Sequence, residues 1–376
     1  MPASFGFLSS YPPTQCGLAT FTAALQSEVG DAGHETGVVR VLERAEVSVH
    51  PTVVDLMVHD HPEAVERAVA ALNAFDVVVV QHEYGIYHGP DGDSVVEVLE
   101  QLTVPSIVVL HTVLVDPTPH QRFVLNAVAR CASALVTMTA TARTRLIDHY
   151  DVDVSKIVVI PHGASDDRRD QTPWRKGRGP LLVTWGLLGP GKGIERVIDA
   201  LPTLRDLDPR PHYMVVGETH PRVLERDGEA YRNGLLARAE RLGVADMVSF
   251  KPGYLDVSSL CSLAAAADVV ILPYDSREQV TSGVLIEAIT ARRPVIATAF
   301  PHAVELLGSG TGLIVDHDDP HAMAESIRHV LCEPAQAAIM AKRAAALAPE
   351  LLWSAVAARY RSLADDLVSV DVSAVA

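Results

Sequence analysis

Short runs of Val, Ile and Leu recur along the whole chain, each followed by a longer amphipathic stretch. In the first half they are "FGFLS", "DVVVVQ", "SIVVLH", "ALVTM" and "KIVVIPH"; in the second, "LLVTW", "HYMVVG", "DVVILPY", "PVIAT" and "TGLIV". A strand built from such a run has no polar face, so it must be covered on both sides, and the intervening helical patterns supply the cover. This predicts an α/β protein with doubly wound parallel sheets. At 376 residues, with 48% hydrophobic but only 5% aromatic residues, the chain suits two aliphatic cores rather than one. "DDRRDQTPWRKGRGP" at 166–180 is charged, interrupted by Pro and Gly, and lacks either hydrophobic period, so it reads as the linker. The expected division is 1–170, 171–350, and a C-terminal helix and tail at 351–376 that packs back on the first domain.

Thirty-one basic residues against forty-seven acidic ones give a formal charge of −16, which repels nucleic acid and anionic lipid at long range. Any anionic ligand must then be held by local features. Cys16, Cys131, Cys261 and Cys332 are widely spaced, with no C-x-x-C pair, which predicts a reducing cytoplasm. No leader-like segment and no apolar run approaching the roughly 18 residues needed to span a bilayer is present, so a soluble chain is expected. A peripheral membrane contact stays open.

Open α/β sheets bind ligands beyond the carboxyl ends of their strands, so the residues after each apolar run are the candidates. "WGLLGPGKGIE" at 185–195 places Gly186, Gly191 and Lys192 in the spacing G-x-x-x-x-G-K, but Gly193 stands where a P-loop needs the metal-binding hydroxyl of Ser or Thr. The loop suits phosphate and not a metal-bound triphosphate. Lys192 would meet that phosphate beside amides freed by Gly189, Gly191 and Gly193; the plainer reading is a turn with a solvated lysine. In "EQVTSGVLIEAI", the Thr281-Ser282-Gly283 turn opens a helix with Ser282 as its cap. The N–H groups of Ser282, Gly283 and Val284 are expected to form an anion site, and Glu287, one turn in, to accept from a ribose diol. Against this stands a simple cap followed by a surface glutamate. "PPTQCGLATF" is a second small-residue loop, with Thr20 or Thr22 near a helix start; Cys16 in it has no evident base nearby and reads as small and buried rather than nucleophilic. His82, His88, His111, His120 and His162 crowd the first domain's strand ends at spacings that fit no standard zinc pattern, and the Asp-rich turns need no metal either.

Six of these segments in order resemble the retaining glycosyltransferases of family 4 (glycosyl transferase group 1). They are the N-terminal glycine loop, "VVLH", "IVVIPHG", G-x-L-x-x-x-K-G at 186–193, "VVGE", and the E-x7-E region ending at Glu287. The resemblance implies the GT-B architecture, two Rossmann-like domains facing a cleft, with the nucleotide-sugar donor on the C-terminal domain and a saccharide or small-molecule acceptor on the N-terminal one. It implies no metal and no other cofactor. Carried over by position, Lys192 binds the donor diphosphate, Glu287 the ribose hydroxyls, Gly17 lets backbone amides reach phosphate, and His111 contacts the transferred sugar. Two positions depart from the family. Leu187 replaces an arginine and so removes a phosphate cation, while Gln279 replaces the first glutamate of E-x7-E, with Glu278 one position early.

Two other functions remain open on the sequence. A related enzyme that epimerises or hydrolyses the nucleotide sugar would need an acid/base pair, which the histidine-rich strand ends could supply. A non-catalytic nucleotide-sugar-binding protein would fit Leu187 and Gln279.

Overall fold

The computed structural model describes residues 2–46, 50–167, 174, 177 and 179–375. Most of the expected linker, namely 168–173, 175, 176 and 178, lies outside the described residues. The chain divides into two compact units, one formed by 1–163 with 353–376 and the other by 164–352.

Seven parallel strands form the sheet of the first unit: β1 (Phe5–Ser9), β2 (Thr36–Leu42), β3 (Val53–Val58), β4 (Val77–His82), β5 (Ser106–Leu110), β6 (Ala134–Thr137) and β7 (Ile157–Val159). Their order is β3-β2-β1-β4-β5-β6-β7. The runs "FGFLS", "VVVVQH" and "SIVVL" are buried along their full length, as expected of strands covered on both faces. The helix Gly17–Asp31 packs Phe21, Leu25 and Val29 into the same core as Phe5, Phe7 and Val79. Trp353, Val356 and Tyr360 of the C-terminal helix Trp353–Val375 join that core. Local chemistry sets the helix starts: Thr118 and Gln121 form a reciprocal capping box ahead of Pro119–Cys131, which has Pro at its first position.

The second unit holds β8 (Leu181–Trp185), β9 (His212–Val216), β10 (Val248–Lys251), β11 (Val269–Leu272), β12 (Val295–Thr298) and β13 (Gly312–Val315). These six parallel strands run in the order β10-β9-β8-β11-β12-β13. In each sheet the order reverses beside the unit's first strand, between β1 and β4 and between β8 and β11, which opens a crevice at the strands' carboxyl ends. Among the described residues no helix is long and apolar enough to cross a membrane.

His82, at the end of β4, is 1% exposed and neither ring nitrogen has a partner among the described residues. Burial lowers its pKa to about 4. The unfolded chain takes up this proton near the ordinary value of about 6.5 and the folded chain does not, so stability is lost as pH falls from about 6.5 towards 4. Over that window the group costs about 1.4 kcal/mol per pH unit. Urea denaturation between pH 7 and 4.5 should show this decline, and His82→Leu should make it shallower; a slope unchanged by that substitution would contradict the assignment.

Candidate functional site

The loops after β8 and β11 meet at the reversal of the second sheet. Gly193, at φ 63°, backs onto the chain leaving β11, and a Cβ there would lie 1.7 Å from the Pro273 carbonyl oxygen. A P-loop serine or threonine is therefore sterically barred, which accounts for the missing hydroxyl. Gly217, at φ 147°, is equally constrained, since its Cβ would fall 1.9 Å from the Gly186 oxygen. The Asp275 N–H donates to Gly191 O at 2.9 Å, tying the two loops together.

This framework sets the Lys192 ammonium 4.6 Å from the centre of the Tyr274 ring. The ammonium has no hydrogen-bond or carboxylate partner among the described residues, and burial lowers its pKa. Arg196 forms ion pairs with both Asp275 and Asp318, so the carboxylates nearest the loop are already engaged. Tyr274 is buried and stacks on Phe300 with ring centroids 5.3 Å apart. The ring face satisfies a cation only in part, contributing about 0.5–2 kcal/mol, and leaves its three N–H bonds for an anion.

Glu287 accepts a hydrogen bond from Trp185 Nε1 at 2.8 Å. Burial raises its pKa and the indole hydrogen bond opposes the rise. The plain alternative of an exposed surface glutamate is thus set aside. Ser282 caps the helix Gly283–Thr290 as expected, its Oγ accepting from Leu285 N at 3.3 Å. Its own amide departs from expectation: Ser282 is 4% exposed and its N–H donates to His302 Nδ1 at 2.8 Å. Of the three amides expected to form an anion site, only those of Gly283 and Val284 have no partner among the described residues. Gln279 folds back on its own loop, Nε2 donating one of its two N–H bonds to Thr281 O at 2.9 Å. The Thr281 hydroxyl is buried without a partner among the described residues, and Glu278 is exposed.

In the first unit Gly17 opens its helix, and a Cβ there would meet nothing within 4 Å. Cys16 is a helix cap rather than packing filler: its Sγ accepts from Ala19 N at 3.4 Å and lies 3.1 Å from Ser10 Oγ. Thr20 and Thr22 do not present their hydroxyls as expected, because these donate to the carbonyls of Cys16 and Leu18. His111 Nε2 lies 2.7 Å from Gln81 Oε1, an atom that can only accept, so the ring proton sits on Nε2 and Nδ1 is an acceptor. Burial, reinforced by His162 and His82, lowers its pKa to about 3 and keeps it neutral. His111 and His162 both meet the Phe21 ring edge-on at 5.0 Å. His88 and His120 sit apart, paired with Asp60 and Asp91. Among the described residues no group of three or more His, Cys, Asp or Glu is placed to hold a metal ion.

The residues that sequence reasoning missed are Trp185, Tyr274 and His302. A signal existed for two of them: Trp185 and Tyr274 are bulky aromatics at the ends of apolar runs, in a chain with few aromatic residues. His302 had none, being twenty residues from its partner Ser282.

Two Rossmann-like parallel-sheet units, the second with a phosphate-suited loop at its reversal, define a GT-B fold. Residues 166–347 match the family model "Glycosyl transferases group 1". Over 253 residues it is 30% identical to the D-inositol 3-phosphate glycosyltransferase of Corynebacterium glutamicum, a stretch covering 63% of this chain and 58% of that one. It is 31% identical over 201 residues to the lipopolysaccharide glucosyltransferase WaaG of Escherichia coli, covering 49% of each chain. The chain thus spans about half to three fifths of these curated relatives. Among solved structures, Anabaena HepE in complex with UDP and glucose superposes with a TM-score of 0.79 at 17% identity, covering 97% of this chain and 100% of that one. Sucrose-phosphate synthase of Thermosynechococcus elongatus gives 0.77 at 18% identity, over 98% and 100% of the two chains.

The Trp185 hydrogen bond stabilises the charged form of Glu287, so Trp185→Phe should raise the Glu287 pKa further. Carboxyl carbon NMR of selectively labelled protein would register an upward move; an unmoved titration would show that the indole does not act on this carboxylate.

Proposed function

We propose that the protein is a metal-independent, retaining glycosyltransferase that moves a sugar from a nucleotide-diphosphate sugar to a saccharide or small-molecule acceptor. The observation that carries this reading is the Lys192 ammonium, held on the Tyr274 face without an anionic partner in a glycine-built loop of a group 1 domain. The names of the relatives, a D-inositol 3-phosphate glycosyltransferase and a lipopolysaccharide glucosyltransferase, support the reaction class.

In the proposed reaction the bond between the sugar C1 and the diphosphate oxygen breaks, and both electrons leave with the oxygen. An acceptor hydroxyl oxygen forms the new bond to C1 on the same face, and its proton passes to the departing diphosphate. Negative charge therefore grows on the diphosphate as the bond breaks. Lys192 and the Gly283 and Val284 amides are preorganised to stabilise it, which is where an enzyme gains most. Glu287 takes the ribose hydroxyls, with Trp185 fixing its carboxylate. His111 contributes no cation, since burial keeps its ring neutral; its Nδ1 accepts from a sugar hydroxyl. Gln279 spends one amide N–H on Thr281 O and keeps its carbonyl oxygen and second N–H for a sugar hydroxyl, without adding a negative charge.

The test is a donor panel of UDP-, GDP- and ADP-sugars against saccharide and polyol acceptors, with the product's anomeric configuration read by proton NMR. Transfer with retention is expected, unchanged after exhaustive EDTA treatment. Lys192→Ala should lower kcat by about 10²–10³, the scale of one lost oxyanion donor. Activity lost to EDTA and restored by magnesium or manganese would contradict the metal-independent site. Epimerised or hydrolysed donor without transfer, or donor binding with no turnover, would replace the proposed reaction with another.

A further inference from the structure

The loop that follows β9 carries a group with no place in the reading above. Leu188 and Thr219 form a bridge between this loop and the glycine loop, Leu188 N–H donates to Glu218 O at 2.7 Å, and His220 N–H donates to Leu188 O at 2.8 Å. A Cβ on Gly189 would lie 3.1 Å from a Val223 methyl, so residues 220–223 lie directly against the phosphate-suited turn. Two further bonds hold the loop: Arg232 Nη2 donates to Gly217 O at 2.9 Å, and the Thr219 hydroxyl donates to Glu229 at 2.6 Å.

The imidazole of His220 is oriented by its own backbone. Nδ1 accepts the Arg222 N–H at 3.2 Å, which fixes the proton on Nε2. That Nε2–H has no partner among the described residues. Lys192, on the loop laced to it, is likewise without an anion, and the charges of Lys192 and Arg222 both reach the His220 ring. A neutral donor is the one kind of group that can stand beside an unpaired ammonium without repelling it while still adding a hydrogen bond to a shared anion.

We propose that His220 donates its Nε2–H to the diphosphate of the nucleotide sugar, supplying the contact that Leu187 cannot make. This rests on the proposed glycosyltransferase reading, and specifically on Lys192 binding the same diphosphate. His220 is then a binding residue that replaces a family cation with a neutral, preoriented donor. It contacts the diphosphate and takes no part in proton transfer.

The experiment measures binding of UDP, GDP and ADP, and of the corresponding monophosphates, by calorimetry on the full chain. Wild type is compared with His220→Ala, His220→Gln and Lys192→Ala, after circular dichroism has confirmed that each is folded. With the best diphosphate, His220→Ala is expected to weaken binding by about tenfold, roughly 1.4 kcal/mol, while the monophosphate is affected several-fold less. His220→Gln places an amide N–H where Nε2 stood and should recover most of the loss. If Lys192→Ala weakens diphosphate binding and His220→Ala does not, the role of His220 is overturned and the reading of the loop stands. If neither substitution matters for a diphosphate that binds, the loop is not the phosphate site and both fall. Equal losses for mono- and diphosphate with no recovery in His220→Gln would assign His220 to packing of the loop, which also overturns the proposal.

Discussion

A lysine ammonium held against an aromatic face without a carboxylate is the interaction on which the candidate site depends. Removing a cation from water is unfavourable, and a ring quadrupole offsets only part of that cost. The second unit maintains the arrangement by satisfying everything around it. Phe300 holds Tyr274, Arg196 takes Asp275 and Asp318, and two close backbone approaches at Gly193 and Gly217 fix the loops. Each would be wasteful in a loop that merely turned the chain. Together they leave a positive charge whose depressed pKa reports desolvation and no counter-ion.

The same logic separates the polar groups of the two units into those already spent and those still open. Ser282 N–H, Thr20 and Thr22 are bonded within the protein. Among the described residues, the Gly283 and Val284 amides, Lys192 Nζ, His220 Nε2 and His111 Nδ1 have no partner. In the second unit Lys192 Nζ, His220 Nε2 and the Gly283 and Val284 amides are all donors, as an anionic ligand requires, whereas His111 Nδ1 in the first unit is an acceptor. Burial keeps His111 neutral at physiological pH, which weighs against an epimerase that used this ring as its acid.

Much of this was legible in the sequence, for identifiable reasons. The runs "LLVTW" and "DVVILPY" are continuous because β8 and β11 are central and covered on both faces, and the loops after them were legible because the crevice of a doubly wound sheet lies at strand ends. The strands β2, β3 and β10 do not announce themselves. Arg40 interrupts "TGVVRVL", Asp55 interrupts "VVDLMV", and "VSFK" is short and only half-buried, as befits the flank of a sheet. Lys192 and Glu287 could be singled out as candidates from their loops, with plainer readings left open and their roles supplied by the resemblance. What composition and spacing cannot convey is which hydrogen bonds are already made: the capture of Ser282 by His302 and of Glu287 by Trp185 joins residues 20 and 102 positions apart.

The account is tested most directly at the Lys192 nitrogen itself. Carbon NMR of ε-labelled lysine, assigned by Lys192→Arg, gives that group's pKa in the free protein and with a saturating nucleoside diphosphate. An unpaired, desolvated ammonium awaiting an anion should titrate below the ordinary lysine range when free and move upward when the diphosphate binds. An ordinary pKa in the free protein, unmoved by UDP, GDP or ADP, would contradict it.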